Sequence, residues 1–238
     1  VLTQVRIPIN SQPVDLDLDG DMDIVVGSRG EKRILWLENL GNFKFTEHDI
    51  NFSTDIDKGS WITGFNMDYA DLNGDGRLDI VSSVWPSSVY ALFQPAKPTD
   101  EWNIKKIGSI APDMLVSVSL ADIDGDGDKD IFSGSYSLGS RDKDDDNTSN
   151  KAFGSVVWFE NKKSHWIKNN ILRRKRGMYD KWIPLDVDKD GDIDFVGTRG
   201  NSKPYDGVIW LEQIKLKEPK HVFIQARSKD SESVPFID

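Results

Sequence analysis

Short apolar runs recur along the chain, each too brief for a helix. Four are equivalent: Ile24-Val25-Val26-Gly27, Ile80-Val81-Ser82-Ser83, Ile131-Phe132-Ser133-Gly134 and Phe195-Val196-Gly197. Each leads into a second stretch with a hydrophobic centre, at residues 34–39, 89–94, 156–161 and 208–213. Trp36, Trp158 and Trp210 mark that centre in three of them, and Ala91 replaces the Trp in the other. A third stretch alternates apolar and polar positions, as in Phe43-Lys44-Phe45-Thr46 and Trp102-Asn103-Ile104-Lys105. Another apolar stretch precedes each run, most clearly from Met114 to Leu120. β-branched and aromatic residues set between turn residues favour pleated strands. No 3.6-residue period is sustained anywhere. The pattern therefore predicts an all-β fold of four repeats with four short strands each. They span approximately residues 10–50, 62–108, 114–172 and 180–227 of a single domain over 1–238. Residues 4–9 read as the last strand of a preceding unit, and 219–227 as the last strand of the fourth.

Polar punctuation repeats in step with these strands. Before each apolar run stands Asp-x-(Asp/Asn)-x-Asp-Gly-x-x-Asp, at residues 15–23, 71–79, 122–130 and 186–194. The starts lie 56, 51 and 64 residues apart. A four-stranded meander recurring at this spacing is the sequence form of a β-propeller blade. The loops, the Asp23–Ser28 run and the Trp36-Leu37-Glu38-Asn39 strand resemble FG-GAP/VCBS repeats, the calcium-loop propeller repeats of integrin α-chains and many secreted bacterial proteins. The residues that give FG-GAP its name are poorly kept, which draws the resemblance toward the bacterial VCBS branch. The resemblance implies a propeller, and four blades with a spare strand at 4–9 suggest the C-terminal part of a larger one, of about seven blades.

Calcium takes six to eight oxygen ligands, and closely spaced carboxylates on a turn supply them. Loop positions 1, 3, 5 and 9 offer side-chain oxygens: Asp15, Asp17, Asp19 and Asp23; Asp71, Asn73, Asp75 and Asp79; Asp122, Asp124, Asp126 and Asp130; Asp186, Asp188, Asp190 and Asp194. Position 7 (Asp21, Arg77, Asp128, Asp192) varies between acid and base, as suits a backbone-carbonyl ligand. Gly at position 6 permits the sharp turn. An EF-hand opens the same way but needs a Glu at position 12 and flanking helices. Here position 12 is Val26, Ser82, Ser133 and Gly197, inside an expected strand. Charge agrees with up to four structural calcium ions. The chain has 40 acidic against 30 basic side chains, a formal net charge of −10. Fifteen of those acids are the loop carboxylates, whose mutual repulsion a cation would relieve.

The same acidity argues against nucleic acid as a partner. No apolar run approaches the roughly 20 residues that span a bilayer. With no cysteine, thiolate metal sites and cysteine nucleophiles are excluded. Millimolar calcium and the family resemblance both suggest an extracellular or cell-surface setting.

Ligand recognition is expected on the loops at the opposite ends of the strands, where variation is free. Arg29 in Gly-Ser-Arg-Gly and Arg199 in Gly-Thr-Arg-Gly read as equivalent, with Trp85, Tyr136, Tyr179 and Tyr205 as aromatic neighbours. Guanidinium forks with aromatic faces suit an acidic polysaccharide or a carboxylate-bearing surface protein. The third repeat carries an insertion around Arg141–Asp146, and the basic run 173–176 joins two repeats. The expected role is an extracellular recognition or adhesion module. The alternative is a polysaccharide lyase, with Tyr136 or Tyr179 as base beside Arg29 or Arg199. No nucleophile elbow, zinc-protease motif or phosphate loop is present. His48, His165 and His221 fall on or beside outer strands, and Asn51 and Asn147 begin glycosylation triplets.

Overall fold

The computed structural model describes residues 2–53, 56–137, 153–174, 177–200 and 206–214. Fifteen strands and no helix are found among them. Sheet 1 is β1 (Pro8–Val14), β2 (Asp23–Ser28), β3 (Arg33–Asn39) and β4 (Phe45–Asp49). Sheet 2 is β5 (Trp61–Ala70), β6 (Asp79–Trp85), β7 (Ser88–Phe93) and β8 (Asn103–Ser109). Sheet 3 holds β9 (Met114–Ala121), β10 (Asp130–Tyr136), β11 (Gly154–Asn161) and β12 (Trp166–Arg174). Sheet 4 holds β13 (Trp182–Leu185), β14 (Asp194–Arg199) and β15 (Gly207–Leu211). In every sheet the strands lie in chain order, each antiparallel to its neighbour. The four-stranded meander expected from the repeats is present in sheets 1 to 3, and its first three strands in sheet 4. The strand expected at 219–227 lies outside the described residues.

Residues 4–9 do not form a spare strand. Pro8 and Ile9 begin β1, which pairs with β2 from Pro8↔Ser28 to Val14↔Asp23. The backbone of Arg6 and Ile7 accepts from Gly30 and Arg29 at 3.0 and 3.1 Å, so this segment closes sheet 1 rather than a missing one.

The chain divides into two compact units, Val1–Ser109 and Ile110–Asp238, of two sheets each. In the first, Val25, Ile34 and Trp36 of sheet 1 join Ile62, Met67, Ile80 and Leu92 of sheet 2 in one core. Gly27 makes this approach possible: a Cβ there would stand 2.3 Å from the carbonyl oxygen of Gly64 on β5. In the second unit, Phe132 of sheet 3 stacks on Phe195 of sheet 4 at 3.6 Å, with Trp182 edge-on at 5.3 Å. Gly134, four residues past its loop aspartate as Gly27 is past its own, lies against Tyr179.

Sheets covered on both faces explain the sequence pattern. The middle strands β6, β7 and β10 are buried nearly throughout, so their apolar positions are interrupted by small Ser and Gly residues and not by an exposed polar face. The outer strands β4, β8 and β12 keep polar positions exposed. Trp36 and Trp158 pack into the two cores as their repeat position suggests. Trp210 does not. It is 41% exposed, beside exposed Ile183, Leu185 and Val208 on sheet 4.

The basic run is also reassigned in part. Arg173 and Arg174 end β12, while residues 175 and 176 lie outside the described residues. Arg173 grips buried Asp113 through Nε and Nη2 at 2.8 and 3.1 Å and covers the Phe153 ring. Asp113 also accepts from the Ser155 hydroxyl and from the Phe153 amide at 2.7 Å.

Candidate functional site

Each acidic loop joins the first two strands of its sheet, at one end of it. The four share one backbone design. The position-6 glycine N–H donates to the position-1 carboxylate at 3.1, 2.7, 3.1 and 3.2 Å. The position-7 N–H donates to the position-5 carboxylate at 2.8, 3.0, 3.0 and 3.2 Å. Position 6 is left-handed, as expected for Gly. Position 4 is left-handed too, with φ near 60° at Leu18 and Lys189 where the other loops have Gly74 and Gly125.

Position 9 has a role that its residue type alone does not reveal. Asp23, Asp79, Asp130 and Asp194 are buried, and both oxygens of each accept a backbone N–H. One comes from loop position 2 (Leu16, Leu72, Ile123, Val187) at 2.9–3.1 Å. The other comes from the end of the third strand or just past it (Asn39, Gln94, Asn161, Gln213) at 2.7–2.9 Å. The aspartate thus staples the loop to the strand that follows it. Desolvation pushes the Asp79 and Asp130 carboxyls up to about 6, against those backbone donors.

Three loops gather carboxylates closely enough to share a cation: Asp15, Asp17 and Asp19; Asp122, Asp124 and Asp130; Asp186, Asp188 and Asp190. Ligand oxygens in each group lie within 4.8 Å of one another. Asp15 Oδ1 and Asp186 Oδ1 are buried without a hydrogen-bond donor. A buried carboxylate oxygen is costly in that state, and a hard cation would satisfy it. The residues fit calcium. Desolvation, then the Asp23 charge, raises the Asp17 carboxyl above its ordinary value. Its counterpart Asp124 feels desolvation as well, but Lys162 at 3.0 Å carries it below.

The loop at 71–79 departs from the other three. Asp71 accepts four backbone N–H groups at 2.7–3.2 Å. Arg77, expected to matter only through its carbonyl, turns its guanidinium onto Asp75 and donates Nε to the Gln94 carbonyl at 3.0 Å. Asn73 donates to Asp75 as well, at 2.9 Å.

At the opposite end the candidates separate. Arg29 is exposed in a turn of the first unit. Arg199 closes β14 in the second and is 8% exposed. Their motifs look alike but are out of register. Arg29 stands six residues after its loop aspartate Asp23, Arg199 five after Asp194. A one-residue offset sends a strand side chain to the other face. Tyr179 is fully buried, its ring stacked on Trp182 at 5.7 Å, so neither a ligand nor a substrate proton reaches it. Tyr136 is half-buried, and its backbone and that of Gly200 both bridge to Met178. Tyr205, the insertion at 141–146, Asn147 and His221 lie outside the described residues.

Trp85 has partners that the sequence did not announce. It pairs across the strands with Trp61, rings stacked at 5.9 Å, and Lys32 Nζ lies 4.6 Å from the Trp61 ring centre. Both Trp side chains are half-buried. His48 contacts Glu38 at 2.7 Å and the Trp36 ring at 4.9 Å, on the outer strand of sheet 1.

Residues 15–82 match the family model described as FG-GAP-like repeat. The matched stretch takes in two of the four loops. No curated protein matches the chain. Among solved structures, one described as the basis of specific recognition of non-reducing terminal N-acetylglucosamine by an Agrocybe aegerita lectin is similar at 17% identity. That similarity has a TM-score of 0.37 and covers 79% of this chain and 60% of that one. Among the described residues no helix is long and apolar enough to cross a membrane.

Proposed function

We propose that the chain is a calcium-stabilised repeat module of the β-propeller type that recognises ligands outside the cell. The observation that carries the calcium reading is the pair of buried, donorless oxygens on Asp15 and Asp186 within grouped carboxylates. Asp15, Asp17, Asp19 and Asp23 would hold one ion with the carbonyl of Asp21. Asp122, Asp124, Asp126 and Asp130 would hold a second with that of Asp128, and Asp186, Asp188, Asp190 and Asp194 a third with that of Asp192. The grouped carboxylates are those of positions 1, 3 and 5 in the loops at 15–23 and 186–194 and of positions 1, 3 and 9 in the loop at 122–130, and the position-9 oxygens retain a free lone pair beside the bonds they accept. The ion supplies charge neutralisation, which lets the acidic hairpin close without self-repulsion. The FG-GAP match over residues 15–82 supports this reading and, with it, a propeller arrangement and an extracellular setting. Chelation tests it. Dialysis against EDTA lowers the melting temperature by 10 °C or more, as expected for sites near saturation in millimolar calcium. A melting temperature indifferent to chelator would remove calcium from the account.

Recognition belongs to the opposite end of the first unit, where Trp61, Trp85 and Lys32 meet and exposed Arg29 shares the β2–β3 turn with Lys32. Indole faces stack on sugar rings, and two nearby cations suit a carboxylate-bearing glycan. Trp85→Ala is expected to abolish retention on an acidic polysaccharide column while leaving the calcium response intact. Retention equal to that of the unsubstituted protein would move the site elsewhere.

A further inference from the structure

The two sheets of each unit are joined, loop to loop, by one glutamine. Gln94, just past β7 and 3% exposed, donates Nε2 to the carbonyl of Leu16 in the loop of sheet 1, at 2.8 Å. Gln213, just past β15, does the same to Ile123 in the loop of sheet 3, at 3.0 Å. Both acceptors occupy loop position 2, between two candidate ligand carboxylates. Their side chains are buried in the core between the sheets, Leu16 at 0% and Ile123 at 6% exposed. Their own N–H groups bond the position-9 aspartates Asp23 and Asp130. The backbone N–H of each glutamine bonds the position-9 aspartate of its own loop, Asp79 or Asp194. A chain of residues results, Asp23, Leu16, Gln94 and Asp79, linked through the backbone N–H and carbonyl of Leu16 and the side-chain amide and backbone N–H of Gln94. Its counterpart runs through Asp130, Ile123, Gln213 and Asp194.

Sheets 1 and 3 carry Asn at the corresponding place, and one methylene decides the difference. Asn39 and Asn161 bond within their own sheets. They fold back to donate Nδ2 to Met22 and Lys129 at position 8 of their own loops, at 3.0 and 3.3 Å. Their Oδ1 atoms accept from Gly41 and Lys163 at 3.0 and 2.9 Å. Within each unit, then, the sheet with Asn closes on itself and the sheet with Gln reaches back to its partner.

We propose that Gln94 and Gln213 are positioning residues for cation binding in the loop of the preceding sheet, so that ion occupancy and the seam between sheets respond together. The proposal rests on the calcium reading above. The physical reason is local. Leu16 lies between Asp15 and Asp17, and its carbonyl belongs to the Leu16–Asp17 peptide, whose plane sets where the Asp17 carboxylate projects. Gln94 fixes that plane by holding its carbonyl in a buried site, where a lost partner is costly.

Calcium calorimetry on Gln94→Asn tests this, because the variant keeps the amide and removes only its reach. The expected result is a binding phase about fivefold weaker, the worth of one neutral hydrogen bond. The calcium-induced rise in melting temperature shrinks in parallel. When the loop of sheet 1 is first disabled by Asp15→Asn with Asp17→Asn, adding Gln94→Asn leaves the remaining calcium binding unchanged. Gln213→Asn repeats the measurement at the loop of sheet 3, so a folding defect at one seam leaves the other readable. Unchanged affinity, with equal loss of melting temperature in calcium and in EDTA, would make the glutamine a purely structural contact and overturn the proposal alone. No calcium uptake by the unsubstituted protein would overturn the calcium reading together with it.

Discussion

A single aspartate at the end of each loop has more to do than bind a cation. Asp79 is fully buried and answers two backbone donors, Leu72 and Gln94, from segments on either side of its own strand. Asp79→Asn would place an NH2 group against one of those N–H donors, leaving it without an acceptor. The expected cost is about 2 kcal/mol, that of a buried unsatisfied donor. Urea unfolding in EDTA isolates this cost from any metal effect. Asp19→Asn, at exposed position 5, is the comparison and should change little in the same buffer. Equal effects of the two substitutions would mean that the staple carries no stability. The residue type at position 9 was plain in the sequence, but the staple was not. Its second partner lies 15 residues on in sheet 2 and 31 in sheet 3, and only the closed meander brings the two together.

Strand order was the most legible level, because the alternation of apolar runs and acidic turns is local. What failed was register. The Gly-Ser-Arg-Gly and Gly-Thr-Arg-Gly motifs invite superposition, yet counting from the loop aspartate aligns Gly27 with Gly134, and Arg199 with Ser28. Counted that way, a second alternation emerges. Gly27 and Gly134 in sheets 1 and 3 stand where Ser83 and Thr198 stand in sheets 2 and 4, matching the Asn and Gln alternation at the end of the third strand. Both features belong to the seam within a unit, and neither shows its purpose without the partner sheet. The glycine's purpose is steric. Gly27→Ala would drive a methyl group into the Gly64 carbonyl at 2.3 Å, backbone against backbone, where no side chain can yield. A loss of about 3 kcal/mol is expected, at the upper end of overpacking costs. Gly59→Ala is the control. Its backbone is left-handed but nothing lies within 4 Å of the added methyl, so its cost should be the smaller strain of that conformation alone. A Gly27→Ala protein as stable as Gly59→Ala would show that the two sheets part easily.

For the molecule as a whole, the number of ions follows from which loops already hold a cation of their own. Four acidic repeats suggested up to four ions and a formal charge moving from −10 toward −2. Three carboxylate groups are assembled, and in the remaining loop the Arg77 guanidinium sits on Asp75 while Asn73 contributes no charge. A guanidinium placed on a ligand carboxylate competes with a divalent ion for the same oxygen, and its capture costs side-chain rotamer freedom but no translational entropy. Lys162 on Asp124 is a milder version, since its ammonium is shared with Glu160 on a longer tether. Native mass spectrometry in calcium acetate should therefore count three ions per chain at saturation, leaving a formal charge of −4 (three ions, two charges each, on −10). Arg77→Ala should raise the count to four, the added ion being the first lost on dilution because Asn73 gives that loop one carboxylate fewer. Lys162→Ala should keep the count and tighten one of the existing sites. A fourth ion on the unsubstituted chain would show that Arg77 swings aside for calcium. The loop at 71–79 would then be a metal site like the others, not a hairpin closed by its own side chain.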